Sequence, residues 1–172
     1  MVAGSSSDEG TGEPRPRPKR GTSRSAARLA AVQALYQMEL TGAAPGAVVP
    51  EFLRHRLGAE LEGQTLAPAD ETLFAEIVRG VAGARDELDR MIVSALSEDW
   101  TLGRLEVVLR AILRAGTFEL AHRPDLPPKV TISEYVAVAD AFYAGKEPGL
   151  VNGVLDRLAR DLRAGELKES GG

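Results

Sequence analysis

The sequence predicts an all-α protein, a compact bundle of six or seven helices behind a basic N-terminal arm. Three observations carry this. Apolar residues recur at three- and four-residue spacings through most of the chain. No segment shows the period-two alternation of a half-buried strand, and the β-rich run Lys129-Val-Thr-Ile is too short to make a sheet alone. Glycine and proline clusters divide the periodic stretches at helix-length intervals. With 172 residues the chain is one domain's worth, and a folded part of ~140 residues would bury roughly 70% of its unfolded surface.

Residues 1–21 contain Gly, Ser, Pro and charge and almost nothing apolar, so they are expected to stay disordered. Thr22 or Ser23 is a plausible N-cap. The first helix then runs to about Thr41, burying Ala27, Ala31, Ala34, Leu35 and Met38, and Gly42 ends it. A short helix is expected over roughly Glu51–Glu62, through Phe52, Leu53, Leu57 and Leu61. Pro68 suits the first turn of the next, with Asp70 and Glu71 at its positive end. From there Phe74, Ile77, Val81, Ala84, Leu88, Met91 and Ala95 form a heptad seam, on one long helix or two nearly collinear ones. Gly80 and Gly83 would let a neighbour approach closely, and Asp86, Glu87 and Asp89 would form an exposed acidic face.

After a break at Trp100 and Thr101, with Thr101 as cap, a helix is expected over about Gly103–His122. Thr131-Ile-Ser-Glu134 reads as a capping box, with Val130 and Tyr135 as its hydrophobic staple, opening a helix to about Tyr143. The last helix spans about Leu150–Arg163, packed through Val151, Val154, Leu155, Leu158 and Leu162, and residues 165–172 fray.

The net charge of −4 conceals a division. Residues 1–13 carry −3, residues 14–28 carry +6 and residues 29–172 carry −7. Six cations, Arg15, Arg17, Lys19, Arg20, Arg24 and Arg28, run without an acid between them. Such asymmetry points to two partners or two kinds of surface, and the arm either meets an anionic partner or is a solvated tail. Arginine in an extended arm neutralises phosphates and stacks on unpaired bases. Arg24, Arg28, Val32 and Tyr36 share an i, i+4 row, which would carry that charge along one helix face to an aromatic ring. Tyr36 is either a stacking platform or half-buried core.

Catalytic and metal chemistry find no foothold. Cysteine is absent, which excludes a disulfide scaffold and a thiolate nucleophile. The two histidines, His55 and His122, are far apart and read as surface residues, so no metal site or cofactor is expected. Phosphate-loop, HExxH and GxSxG motifs are missing. No apolar run is long enough to span a membrane, and no secretory leader opens the chain.

Four segments carry a family resemblance: VQALYQMEL at 32–40, RAILRAGTFEL at 110–120, PPKVTISEYVAVADAF at 127–142 and LVNGVLDRLAR at 150–160. In this order and spacing the chain resembles the bacterial transcription antitermination factor NusB family over about residues 24–163. The resemblance implies two packed helical sub-bundles without enzymatic activity, in the cytoplasm. It implies binding of boxA-type single-stranded RNA in nascent rRNA transcripts, together with the small-subunit ribosomal protein NusE, within an RNA polymerase antitermination complex. It places RNA contacts at Arg24, Arg28 and Tyr36 and at the loop holding Lys146, Gly149 and Leu150, with Arg15, Arg17, Lys19 and Arg20 as arm contacts. Gln33, Tyr36, Glu134, Asn152 and Gly153 fall on the family signature, and Glu106 and Arg110 on the partner-binding face. Where relatives often have Lys-Phe before VNG, this chain has Gly149-Leu150, and where they often have an acid it has Leu109. The nearest alternative is the NusB-like N-terminal domain of an rRNA cytosine methyltransferase, whose chains continue into a catalytic domain. A stand-alone interaction module is the third reading. Self-association into a homodimer stays open.

Overall fold

A computed structural model describes residues 20–55 and 70–163. Among the described residues there are seven α-helices and no strand: α1 (Arg20–Thr41), α2 (Pro45–His55), α3 (Glu71–Gly83), α4 (Arg85–Ala95), α5 (Val107–His122), α6 (Pro128–Phe142) and α7 (Glu147–Leu162). A 3-10 turn, Leu102–Arg104, precedes α5. Helices α1, α2 and α3 pack as one group and α4 to α7 as another. The central helix α5 touches both, and every residue from 111 to 120 on it is buried.

The all-helical expectation holds, and several boundaries move. Helix α1 begins at Arg20, so Thr22 and Ser23 lie inside it and neither caps it. The stripe Ala27, Ala31, Ala34 and Leu35 is buried as expected. Gly42 ends α1 at φ 73°, a left-handed value that costs glycine little, and its N–H donates to the Met38 carbonyl at 2.8 Å. Helix α2 starts at Pro45, six residues before the expected position; Leu57, Leu61 and Pro68 lie outside the described residues. Asp70 is the cap of α3 rather than part of it, accepting from the Leu73 N–H at 2.9 Å.

The heptad seam is real as a buried stripe: Phe74, Ile77, Val81, Leu88 and Ala95 are all in the core. Two helices share it, broken at Ala84 (φ −114°, ψ 17°). Gly80 earns its place. A Cβ there would lie 2.1 Å from the Phe118 ring of α5, so α3 and α5 close only over a hydrogen. Gly83 faces open space and has no such role.

The capping box does not form. Pro127 precedes the first turn of α6, which closes through Val130 N–H to its carbonyl at 3.0 Å. Thr131 instead lies inside the helix, fully buried, and Val130 is 46% exposed rather than stapled. The proline, with φ already fixed, starts the helix without a side-chain cap. Thr101 makes no side-chain cap, and α5 begins four residues later than expected, after Glu106. Helix α7 begins at Glu147, with Pro148 in its first turn, and Leu162 at its end is exposed.

Candidate nucleic-acid interface

The N-terminal half of α1 is where the cationic arm meets the bundle. Arg15, Arg17 and Lys19 lie outside the described residues, while Arg20 opens the helix. Arg24 is half-buried and lines a cleft of about 260 Å³ with Asp70, Thr72, Glu76 and Arg123. The cleft is not a cationic patch. Arg123 is held by Glu76 at 2.7 Å and by both carboxylate oxygens of Asp125, at 3.1 and 3.2 Å. Its guanidinium hydrogen bond holds the Asp125 carboxyl below the usual range.

Arg28 corrects the expectation most sharply. It is 2% exposed and does not face solvent. Its Nε and Nη2 donate to the two carboxylate oxygens of Glu119 on α5, both at 2.9 Å. Burial works against the guanidinium charge, but the hydrogen bonds and charge of Glu119 outweigh it and raise the Arg28 pKa. Glu119 also accepts from the Tyr135 hydroxyl of α6. Burial first, and the Glu119 charge second, push the Tyr135 phenol well above its ordinary value. Three helices are thus joined in the core by one fully buried cluster. The expected row breaks at this point, because Val32 is buried too. Only its two ends reach solvent, Arg24 in part and Tyr36 at 38% exposure.

Arg28 still reaches towards the surface through its third nitrogen. Nη1 lies 3.6 Å from Glu134 Oε2, and the Ser25 hydroxyl donates to the same oxygen at 2.7 Å. The signature residue Glu134 is therefore part-buried and held from below. Gln33 lies on the exposed side of α1 with Tyr36. In the second expected region, Lys146, Gly149, Asn152 and Gly153 are exposed around the start of α7, and Leu150 is partly buried.

Of the two candidate partner-face residues, Glu106 is exposed in front of α5. Arg110 turns back, donating to the Leu105 carbonyl at 2.8 Å and pairing with Glu39 at 3.4 Å. Glu39 also meets Arg85 at 3.1 Å and Arg114 at 3.7 Å, and Arg114 takes both oxygens of Asp89, at 2.7 and 3.0 Å. Asp89 is therefore a structural partner of α5, not part of a solvated acidic face; Asp86 and Glu87 are exposed as expected. Sequence reasoning missed Glu119, Glu39 and Arg114. The available signal was the charge itself: Arg114 and Glu119 are the two charged residues within the mostly apolar run 111–120 of α5.

The fold is that of an all-helical module whose first helix, which follows a cationic stretch of sequence, carries the exposed polar residues Gln33 and Tyr36. The family model for the NusB family matches residues 25–160, and the chain belongs to that family. The transcription antitermination protein NusB of Sinorhizobium fredii is 53% identical over 150 residues, covering 87% of this chain and 94% of that protein. The solved structure of T. maritima NusB superposes with a TM-score of 0.68 at 28% identity, covering 84% of this chain and 96% of that one. The crystal structure of the antitermination factors NusB and NusE in complex with dsRNA gives 0.67 at 24% identity, covering 80% and 96%. At that identity the likeness is one of fold.

Proposed function

We propose that this chain is a transcription antitermination factor. It holds boxA-type single-stranded RNA of nascent rRNA transcripts jointly with the ribosomal protein NusE, and acts by binding rather than by catalysis. Family membership across residues 25–160 carries this reading. The relative at 53% identity bears the antitermination name rather than that of a methyltransferase, and a neighbour of the same fold is NusB with NusE in complex with dsRNA. Its place of action is the cytoplasm, where transcripts emerge; no described helix is long and apolar enough to cross a membrane. The arm supplies electrostatic affinity, and exposed Gln33, Tyr36, Lys146 and Gly149 supply positioned contacts. The acidic body meets the basic ribosomal protein near Glu106.

The test is a titration of a boxA-like RNA with the purified chain, with NusE and with both. Tighter RNA binding by the pair than by either alone is expected, and the absence of any complex at micromolar concentration would reject the proposal. Deleting residues 1–19 leaves α1 whole and removes Arg15, Arg17 and Lys19. The log–log salt slope should then fall by up to about 2, and an unchanged slope would remove the arm from the RNA surface.

A further inference from the structure

Helices α1 and α6 leave an open groove of about 380 Å³ between them. Its floor and walls are Ala26 and Leu29 from α1 and Ala137, Val138 and Ala141 from α6. Ser25, Ser133 and Glu134 supply its polar groups. The groove starts one residue after Arg24, where the cationic stretch meets the rigid helix.

Glu134 is unusual among these residues. Its Oε2 is engaged by Ser25 at 2.7 Å and by Arg28 at 3.6 Å, while Oε1 takes no hydrogen bond among the described residues. The side chain keeps 25% of its exposure. Arg28 beneath it is itself locked by Glu119, so the carboxylate is fixed before any ligand arrives. A rigid acceptor above a shallow floor of small side chains suits a flat, neutral, weakly polar group that carries an N–H donor. A phosphate is excluded there by the carboxylate charge. A long aliphatic side chain would leave the acceptor unsatisfied.

We propose that the α1–α6 groove holds one unpaired nucleobase bearing an exocyclic amine, with Glu134 accepting from that amine and Arg28 acting as the residue that positions Glu134. This rests on the RNA-binding reading above and names what the site would read. Carboxylates accept from base amino groups, and single-stranded RNA is recognised on edges splayed out of the stack. Arg28 therefore serves RNA binding without touching RNA: its charge holds the acceptor that does. The arm supplies affinity that is blind to sequence, and the groove adds a sequence preference.

The experiment uses the full chain with its ribosomal protein partner and a set of 12-nucleotide boxA-like RNAs. In each RNA one amino-bearing base is replaced by its analogue without the amine: inosine for guanosine, purine riboside for adenosine, zebularine for cytidine. Fluorescence anisotropy should find one position at which the wild-type chain loses about tenfold in affinity. Glu134→Ala should lose that discrimination and bind all the RNAs alike. Ala137→Trp, at an exposed position on the groove wall, should lose it by filling the space, with the circular dichroism of both variants unchanged. The inference is overturned if no wild-type position depends on an amine, or if Glu134→Ala keeps the discrimination. It is equally overturned if Ala137→Trp alters sedimentation or partner binding while RNA discrimination stays intact, since the groove would then seat a protein surface. Failure of the wild-type complex to bind any of these RNAs would instead strike the functional reading itself.

Discussion

Helix α1 is tied to α5 twice, and the two ties differ in kind. Near its start, Arg28, Glu119 and Tyr135 form a closed cluster with side chains 0–2% exposed. Near its end, Glu39 faces Arg85, Arg110 and Arg114 at the mouth of a cleft of about 210 Å³, with Glu39 25% exposed and Arg85 51%. The chemistry is the same, arginine on carboxylate. The surroundings are opposite. In the first, every partner was taken out of water, so each depends on the others to remain charged there. In the second, water can replace any partner that leaves. Ion pairs of similar geometry should therefore respond to mutation on different scales.

The largest effect is expected from Arg28→Ala. It leaves Glu119 buried beside Tyr135 with no cation, and the cost should be about 3–5 kcal/mol, read from urea unfolding midpoints. The double change Arg28→Met with Glu119→Leu should recover most of that loss, because it removes both charges from the core. If Arg28→Ala alone costs less than about 1 kcal/mol, the cluster is not dry and the contrast with the other end of α1 fails.

Arg114→Ala is the intermediate case. Arg114 meets Glu39 at the wetter end, yet it is itself buried and donates to both oxygens of Asp89. A hydrogen bond to a charged group contributes about 1.5–3 kcal/mol, and thermal melting should place this variant between the extremes. A double-mutant cycle with Asp89→Ala tests whether the pair, rather than lost packing, accounts for the effect.

Tyr135→Phe probes the dry cluster through pH. The folded-state phenol titrates well above its ordinary value, because it is buried and beside Glu119. An unfolded tyrosine ionises near pH 10. Stability should therefore be full below about pH 10 and fall above it, where the unfolded chain loses a proton that the folded chain keeps. One such group accounts for a slope of at most about 1.4 kcal/mol per pH unit. Tyr143 is raised in the same direction, mainly by burial and then by Glu106. The Phe variant should thus flatten the alkaline slope without abolishing it. Urea midpoints at pH 8 and pH 11 decide this, and an unaltered slope in the variant would mean that Tyr135 is not the titrating group.

The same contrast explains what could be read from the residue pattern. Periodicity exposed the apolar stripes of α1, α3 and α4, and breakers divided them at nearly the right places, because burial of apolar area dictates both. It could not say that Arg28 points inwards. On a helical row, Arg24 and Arg28 look alike, and only the arrival of Glu119 from a residue 91 positions away separates them. Capping failed for a similar reason. Thr131 and Glu134 have the spacing of a box, but tertiary partners recruit Glu134 to Arg28 and Ser25, while Pro127 and Pro128 start the helix. Of the candidate surface, only the partly exposed Arg24 was legible from the charge pattern; Tyr36 suited a stacking ring or a half-buried core equally, and Gln33 and Lys146 came only from the family resemblance. The carboxylate of Glu134 in its groove was not, since α1, α5 and α6 build it together.

The smallest effect is expected from Glu39→Ala, and it sharpens the comparison most. Glu39 has more cationic partners than Glu119, with Arg85, Arg110 and Arg114 all within 4 Å. A count of ion pairs would make it the more important residue. Exposure argues the reverse: Glu39 keeps access to water, Arg114 retains Asp89 and Arg110 retains the Leu105 carbonyl. The loss should stay below about 1 kcal/mol and shrink further in high salt. Melting curves at low and high ionic strength provide the measurement. A large, salt-independent loss would show that the cleft mouth is as dry as the cluster at the other end of α1, and that partner number rather than burial sets the cost.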